Sequence, residues 1–132
     1  MSLINKIKNK KACCAVIGLG YVGLPLAVEY AKAGFKVIGI DLDDNKIKAI
    51  SNQKSYIADV SQKDLSEVVG SGNLKATTDY SILKAVDTIN ICVPTPLRKS
   101  RDPDISYIVS ACEQISKYLH KQQLIILEST TY

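Results

Sequence analysis

The sequence holds a single histidine, His120, and no C-x-x-C pair among its four cysteines, Cys13, Cys14, Cys92 and Cys112. One imidazole and unpaired thiols cannot complete a metal set of the usual kind. Cys13, Cys14 and Cys92 fall in strand-like runs bound for the interior and Cys112 in a helix-like one, so all four are expected as small apolar fillers in a reducing compartment. His120 falls near a helix end, where a surface or capping role is expected. No run approaches the ~18 apolar residues of a membrane span. The start lacks the apolar core of a signal peptide, so no membrane partner is expected and the cytoplasm is the expected location. Repeats and low-complexity segments are absent as well. The net charge is only +4, and much of it lies in Lys6, Lys8, Lys10 and Lys11. Such a terminal cluster is a solvated arm, and no nucleic-acid partner is expected. The 132 residues, 46% hydrophobic and 23% charged, suit one domain with a real core.

What the sequence does have is Val16-Ile17-Gly18-Leu19-Gly20-Tyr21-Val22-Gly23. An apolar run over 12–17 enters it and a helix-like run over 22–33 leaves it. The glycines have the spacing G-x-G-x-x-G, and each has its own task. Gly18 lets the chain turn off the strand. Gly20, without a Cβ, lets a pyrophosphate approach the main chain. Gly23 lets the helix pack closely on the strand. The helix start then offers N–H groups and its positive dipole end to phosphate. A second apolar run, 35–40, ends in Asp41, at close to the ~20-residue spacing at which an acid follows the glycines. A carboxylate there can accept both hydroxyls of an adenosine ribose and would repel a 2′-phosphate, which points to NAD over NADP.

The remaining chain alternates strand and helix. A short helical lead-in over 2–11 would place Leu3, Ile4 and Ile7 on one face. Pro25 suits the first turn of the helix after the glycines, Gly34 its end, and Leu24, Ala27, Val28 and Ala31 its sheet-facing stripe. Asp43 or Asp44 would cap a helix to about Ser51, with Lys46 near Asp41. Lys46 would then reach the adenosine side of a dinucleotide or stand as a solvated helix lysine. Tyr56 and Ile57 would anchor the connection over 52–61. A helix over 63–69, a strand over 74–77, a short helix over 80–85 capped by Asp79, and a strand over 87–93 follow. Pro94-Thr95-Pro96 cannot continue a central strand. A charged loop over 97–103 leads to a helix reaching about His120, with Ile105, Ile108, Val109, Cys112, Ile115 and Leu119 as its apolar face. The last strand is 124–127. This alternation predicts an α/β fold: a Rossmann-type doubly wound parallel sheet, helices on both faces, strand order 3-2-1-4-5.

Val16 to Pro25, Gly39-Ile40-Asp41, Val93-Pro94-Thr95-Pro96-Leu97, Pro103-Asp104 and Glu128-Ser129-Thr130-Thr131-Tyr132 together resemble the NAD-binding domain of the nucleotide-sugar 6-dehydrogenases, the UDP-glucose/GDP-mannose dehydrogenase family. The likeness covers nearly all of 11–132, so residues 1–11 are expected as a basic lead-in and 12–132 as the NAD domain. V-P-T-P and E-S-T-T look most like the branch acting on UDP-N-acetylhexosamines, nearest the UDP-N-acetylglucosamine 6-dehydrogenases. The resemblance implies oxidation of the sugar C6 alcohol to a carboxylate with reduction of two NAD, as in polysaccharide biosynthesis. It implies a catalytic Cys, Lys and Asn in motifs that these residues do not contain, and a UDP-sugar held by other domains. None of the four cysteines matches the nucleophile motif. By the same resemblance Gly18, Leu19, Gly20, Tyr21, Val22 and Gly23 match the pyrophosphate loop, Asp41 the ribose acid and Lys46 a basic residue near that ribose. Pro94, Thr95 and Pro96 match a loop between ribose and nicotinamide. Thr130 matches a threonine that helps position the reactive water, with Ser129 beside it. For Thr95 and Thr130 the alternative is a loop hydroxyl that caps its own backbone.

These residues alone are expected to bind NAD without turnover. The alternatives are an NAD(H)-sensing module of identical fold, or the NAD domain of another hydroxyl-oxidising dehydrogenase, since fold does not fix substrate. The apolar last strand, at a sheet edge, is expected to drive self-association, and a homo-oligomer is the expected assembly.

Overall fold

The computed structural model describes residues 1–129. Five parallel strands, β1 (Cys13–Ile17), β2 (Lys36–Ile40), β3 (Leu74–Thr77), β4 (Thr88–Ile91) and β5 (Leu124–Leu127), lie in the order β3-β2-β1-β4-β5. Ile17 stands in register with Ile40 on one side and Ile91 on the other. The carboxyl ends of β1, β2 and β4 are therefore flush, and the loops leaving them meet above one edge of the sheet.

Side chains alternate across the sheet. Cys14, Val16, Val37 and Leu74 face a core closed by α2 (Gly23–Lys32), α3 (Asp44–Ser51) and α4 (Gln62–Gly70). Ala15, Ile17, Ile40, Ile89 and Ile91 face a second core, closed by the 3-10 segment Tyr80–Ala85 and α5 (Ser106–Tyr118). With both faces covered, β1 and β4 are almost wholly buried. The predicted sheet order and the doubly wound layering are those observed.

Local chemistry sets the helix ends. Asp43, Ser61 and Asp79 each accept a main-chain N–H at the start of the following element. Gly34 ends α2 with φ +106°. The lead-in folds as α1 (Leu3–Lys8), capped by Ser2, with no buried residue of its own. Lys6 instead reaches Asp87 at 3.0 Å, and Asp87 also accepts from the Cys13 N–H at 2.8 Å.

Three expectations need correction. The fourth strand is shorter than 87–93, because Asp87 turns its carboxylate onto β1 and Pro94 follows close behind. The face of α5 is also different: Ala111 and Ile115 are buried, with Tyr118 packed beside them, while Ile105, Val109, Cys112 and Leu119 are exposed. The helix packs on the 3-10 segment along a 111–115–118 stripe, and the neighbouring apolar stripe turns outward. Cys112 is thus a surface residue; Cys14 and Cys92 are buried, and Cys13 is partly so.

Candidate functional site

The turn after β1 is built by exclusion. Gly18 has φ +94°, and a Cβ on it would lie 2.7 Å from the Cys92 carbonyl oxygen. A Cβ on Gly23 would collide with the Gly18 carbonyl, so only glycine lets α2 start this close to the strand. Gly20 differs: a Cβ there would meet nothing within 4 Å. Its missing side chain serves no packing need inside the chain and leaves open space beside the main chain. The N-terminus of α2 begins at Val22 without a side-chain cap, unlike the starts of α3 and α4. Within its first turn the Leu24 N–H donates to the Gly20 carbonyl at 3.1 Å and Pro25 has no N–H, so the N–H groups open to an anion are those of the turn itself, Gly20 to Gly23.

Leu19 enters the site through its main chain only. Its side chain is fully buried against Gly39, where a Cβ would stand 2.8 Å from Leu19 Cδ2. Its N–H donates to Asp41 Oδ2 at 2.9 Å, and the Asp43 N–H donates to Asp41 Oδ1 at 2.9 Å. The carboxylate at the tip of β2 is thus held in one orientation, each oxygen keeping a lone pair for another donor. Asp43 caps α3 and so brings Lys46 Nζ to 3.9 Å from Asp41 Oδ2. Tyr21 and Val22 stand exposed at the rim.

Residues 18–22, Asp41 and Lys46 line a cleft of about 540 Å³ that continues past Cys92, Val93, Pro94 and Thr95 to Glu128 and Ser129, while Gly23 lies behind it. A second hollow of about 620 Å³ shares Gly18, Asp41, Lys46, Val93 and Pro94 and extends over Leu42, Tyr80 and Tyr107. Together they form one crevice over the carboxyl ends of β1, β2 and β4, the switch point of the sheet, where open α/β folds bind ligands. Pro96 lines neither hollow; its carbonyl accepts from the Asp104 N–H at 2.8 Å and closes the loop. The Ser129 hydroxyl reaches the Val93 carbonyl at 2.8 Å and the Ile91 carbonyl at 3.2 Å, tying the end of β5 to the exit of β4. Thr130 lies outside the described residues.

Two contributors were missed in the sequence. The Tyr56 hydroxyl donates to the Leu19 carbonyl and props the glycine turn from below. Burial, with the carboxylates of Asp41 and Asp43, pushes this phenol well above its ordinary range, so it stays a donor. Glu128 lines the far end of the cleft and accepts from the buried Asn90 amide at 3.2 Å. Both arise from loops folding onto distant strands, and no spacing rule announces them. Three of the thiols are held toward the protonated form: burial pushes Cys92 up to about 11 with help from the Glu128 charge, burial does the same to Cys13 with Cys14 and Asp87, and burial raises Cys14. Among the described residues no cluster of His, Cys, Asp and Glu suits a metal ion.

Residues 12–132 match the UDP-glucose/GDP-mannose dehydrogenase family, NAD binding domain. The chain is 42% identical over 123 residues to a UDP-N-acetyl-D-mannosamine dehydrogenase of Campylobacter jejuni, covering 92% of this chain and 29% of that one. It is 36% identical over 118 residues to a UDP-N-acetyl-D-glucosamine 6-dehydrogenase of Pseudomonas aeruginosa, covering 89% and 27%. Among solved structures, the UDP-D-ManNAc dehydrogenase of Pyrococcus horikoshii superposes with a TM-score of 0.83 at 37% identity, covering 89% of this chain and 28% of that one. The chain spans less than a third of the length of these relatives.

Proposed function

The chain belongs to the UDP-glucose/GDP-mannose dehydrogenase family as its NAD-binding domain, and from that we propose how the crevice holds NAD. The diphosphate lies over the turn from Gly18 to Gly23 and takes the N–H groups of Gly20 to Gly23 at the start of α2, since the Gly18 N–H is held by the Ile40 carbonyl and the Leu19 N–H by Asp41. The adenosine ribose hydroxyls donate to Asp41, and Lys46 supports the same half. The adenine enters the hollow over Leu42 and Tyr107. The nicotinamide half runs past Pro94 and Thr95 toward Ser129, Thr130 is assigned to the same half by its motif alone, and Pro96 shapes the Pro94 loop from outside the cleft. Residues 12–132 form the cofactor domain and residues 1–11 its basic lead-in.

The single observation that supports this best is the paired hold on Asp41. Two main-chain N–H groups orient the carboxylate beside Gly20, whose side-chain position opens on empty space. A diol meets two outward lone pairs there, whereas a 2′-phosphate meets like charge.

The reaction we propose for the domain is oxidation of the C6 alcohol of a UDP-N-acetylhexosamine to a uronate, with one NAD reduced in each of two steps. The relatives named for UDP-N-acetyl-D-mannosamine and UDP-N-acetyl-D-glucosamine support this substrate class. Hydride transfer needs donor and acceptor held about 3–3.5 Å apart. Among the described residues no second wall closes over the cleft, and the buried thiols are protonated. We therefore propose that these residues bind NAD but do not turn over the sugar. Saturation-transfer NMR with NAD, followed by UDP-N-acetylhexosamine and NAD together under absorbance detection, tests both parts. Transfer from NAD without NADH formation is the expected outcome. No transfer contradicts the cofactor site, and steady NADH production contradicts the proposed inactivity.

A further inference from the structure

Asn90 is the most deeply buried polar side chain among the described residues, 1% exposed on the central strand β4. An amide in that position is costly unless its groups are paired. Its partners are specific. Asn90 Nδ2 donates to Glu128 Oε1 at 3.2 Å, and the Tyr30 hydroxyl donates to Asn90 Oδ1 at 3.4 Å. The Glu128 main-chain N–H also donates to the Ile91 carbonyl at 2.9 Å, fixing the residue at the tip of β4. A relay from α2 through the sheet thus holds one carboxylate at a fixed place on the cleft wall.

That place is at one end of the sheet order. Asp41 marks the adenosine end at β2 and the glycine turn marks the diphosphate at β1. The tips of β4 and β5 remain for the nicotinamide. The nicotinamide ring carries a positive charge when oxidised and none when reduced, while the rest of the dinucleotide is the same in both forms. We propose that Glu128, positioned by Asn90 and Tyr30, makes the site favour NAD+ over NADH and so favours release of the reduced cofactor. This rests on the dinucleotide pose proposed above. The carboxylate repels the diphosphate equally in both forms, so only the ring charge enters the ratio of the two affinities.

Glu128→Gln removes the charge but keeps an oxygen that can accept from Asn90 Nδ2, and Glu128 is exposed enough for the change to leave folding intact. Dissociation constants for NAD+ by calorimetry and NADH by fluorescence are measured on the full chain at ~10 mM salt. The ratio Kd(NAD+)/Kd(NADH) should rise about three- to tenfold in the variant, mostly through NAD+, and the difference should shrink as salt screens the charge. Asn90→Ala, which frees the carboxylate without discharging it, should give an intermediate ratio; if it fails to fold, Tyr30→Phe, which loosens the Asn90 amide but leaves its bond to Glu128, should move the ratio in the same direction by less. Equal changes in both constants, or none, overturn the proposal. Binding of neither form to the unmodified chain overturns the dinucleotide pose itself, and the proposal with it.

Discussion

Two glycines three residues apart should respond to the same substitution in opposite ways. Gly20 has an ordinary backbone conformation, and an added methyl meets no atom of the chain. Gly20→Ala should therefore fold normally, with stability between unchanged and about 1 kcal/mol higher because the unfolded chain loses freedom. That methyl would occupy the space through which a diphosphate reaches the main chain. Charge-assisted hydrogen bonds to such N–H groups contribute about 1.5–3 kcal/mol each, so losing one weakens NAD about tenfold or more. Gly23→Ala places its methyl inside the Gly18 carbonyl and forces α2 away from β1. Overpacking of this kind costs about 1–3 kcal/mol, a fall in Tm of roughly 3–10 °C for a domain of this size. Thermal melts and calorimetric NAD titrations of the two variants separate the effects. Near-native affinity in Gly20→Ala would refute the reasoning, since the diphosphate would then not approach the chain at that residue.

Other outcomes follow from the same geometry. Asp41→Ala should abolish the preference for NAD over NADP in competition titrations, and it should cost about 1–3 kcal/mol because the Leu19 and Asp43 N–H groups lose their acceptor; an undiminished preference would move the ribose elsewhere. Burial pushes the Asp87 carboxyl up, but the Cys13 N–H and the Lys6 ammonium outweigh it and hold it below its ordinary value. Its contribution is therefore present above the unfolded value of about 3.9 and is lost as pH falls through the lower folded value. Asp87→Ala should lower stability at neutral pH by about 1–2 kcal/mol in urea melts, and the gap should close toward about pH 2; a constant gap at every pH would contradict this. Leu124, Ile125 and Leu127 are exposed on the edge strand β5, so light scattering should show self-association that Ile125→Lys suppresses; a monomeric mass at all concentrations excludes edge pairing.

The legible parts of the fold were those set by near neighbours in the chain. The turn at Gly18, the cap at Asp43, the stop at Gly34 and the acid at Asp41 each depend on a few adjacent residues, and each stands where its spacing placed it. The sheet order followed from the alternation of elements. Illegible features depend on how distant segments meet. Apolar residues surround α5 on more than one side, so its pattern alone could not decide between the stripe through Cys112 and the one through Ala111. Tyr56 and Glu128 reach the cleft only because the chain over 52–61 and the exit of β5 fold onto it. Asn90 falls inside the predicted strand over 87–93 with nothing to mark it until Tyr30 and Glu128 are seen on either side.

The central claim is that NAD lies across the tips of β2, β1 and β4. The most direct measurement is a backbone-amide NMR titration of the isotope-labelled chain with NAD. Saturable shifts at Gly18 to Gly23, Leu19 and Asp43 beneath the Asp41 carboxylate, and Thr95 are the predicted result. No shifts at millimolar NAD, or shifts confined to residues away from these tips, would contradict it.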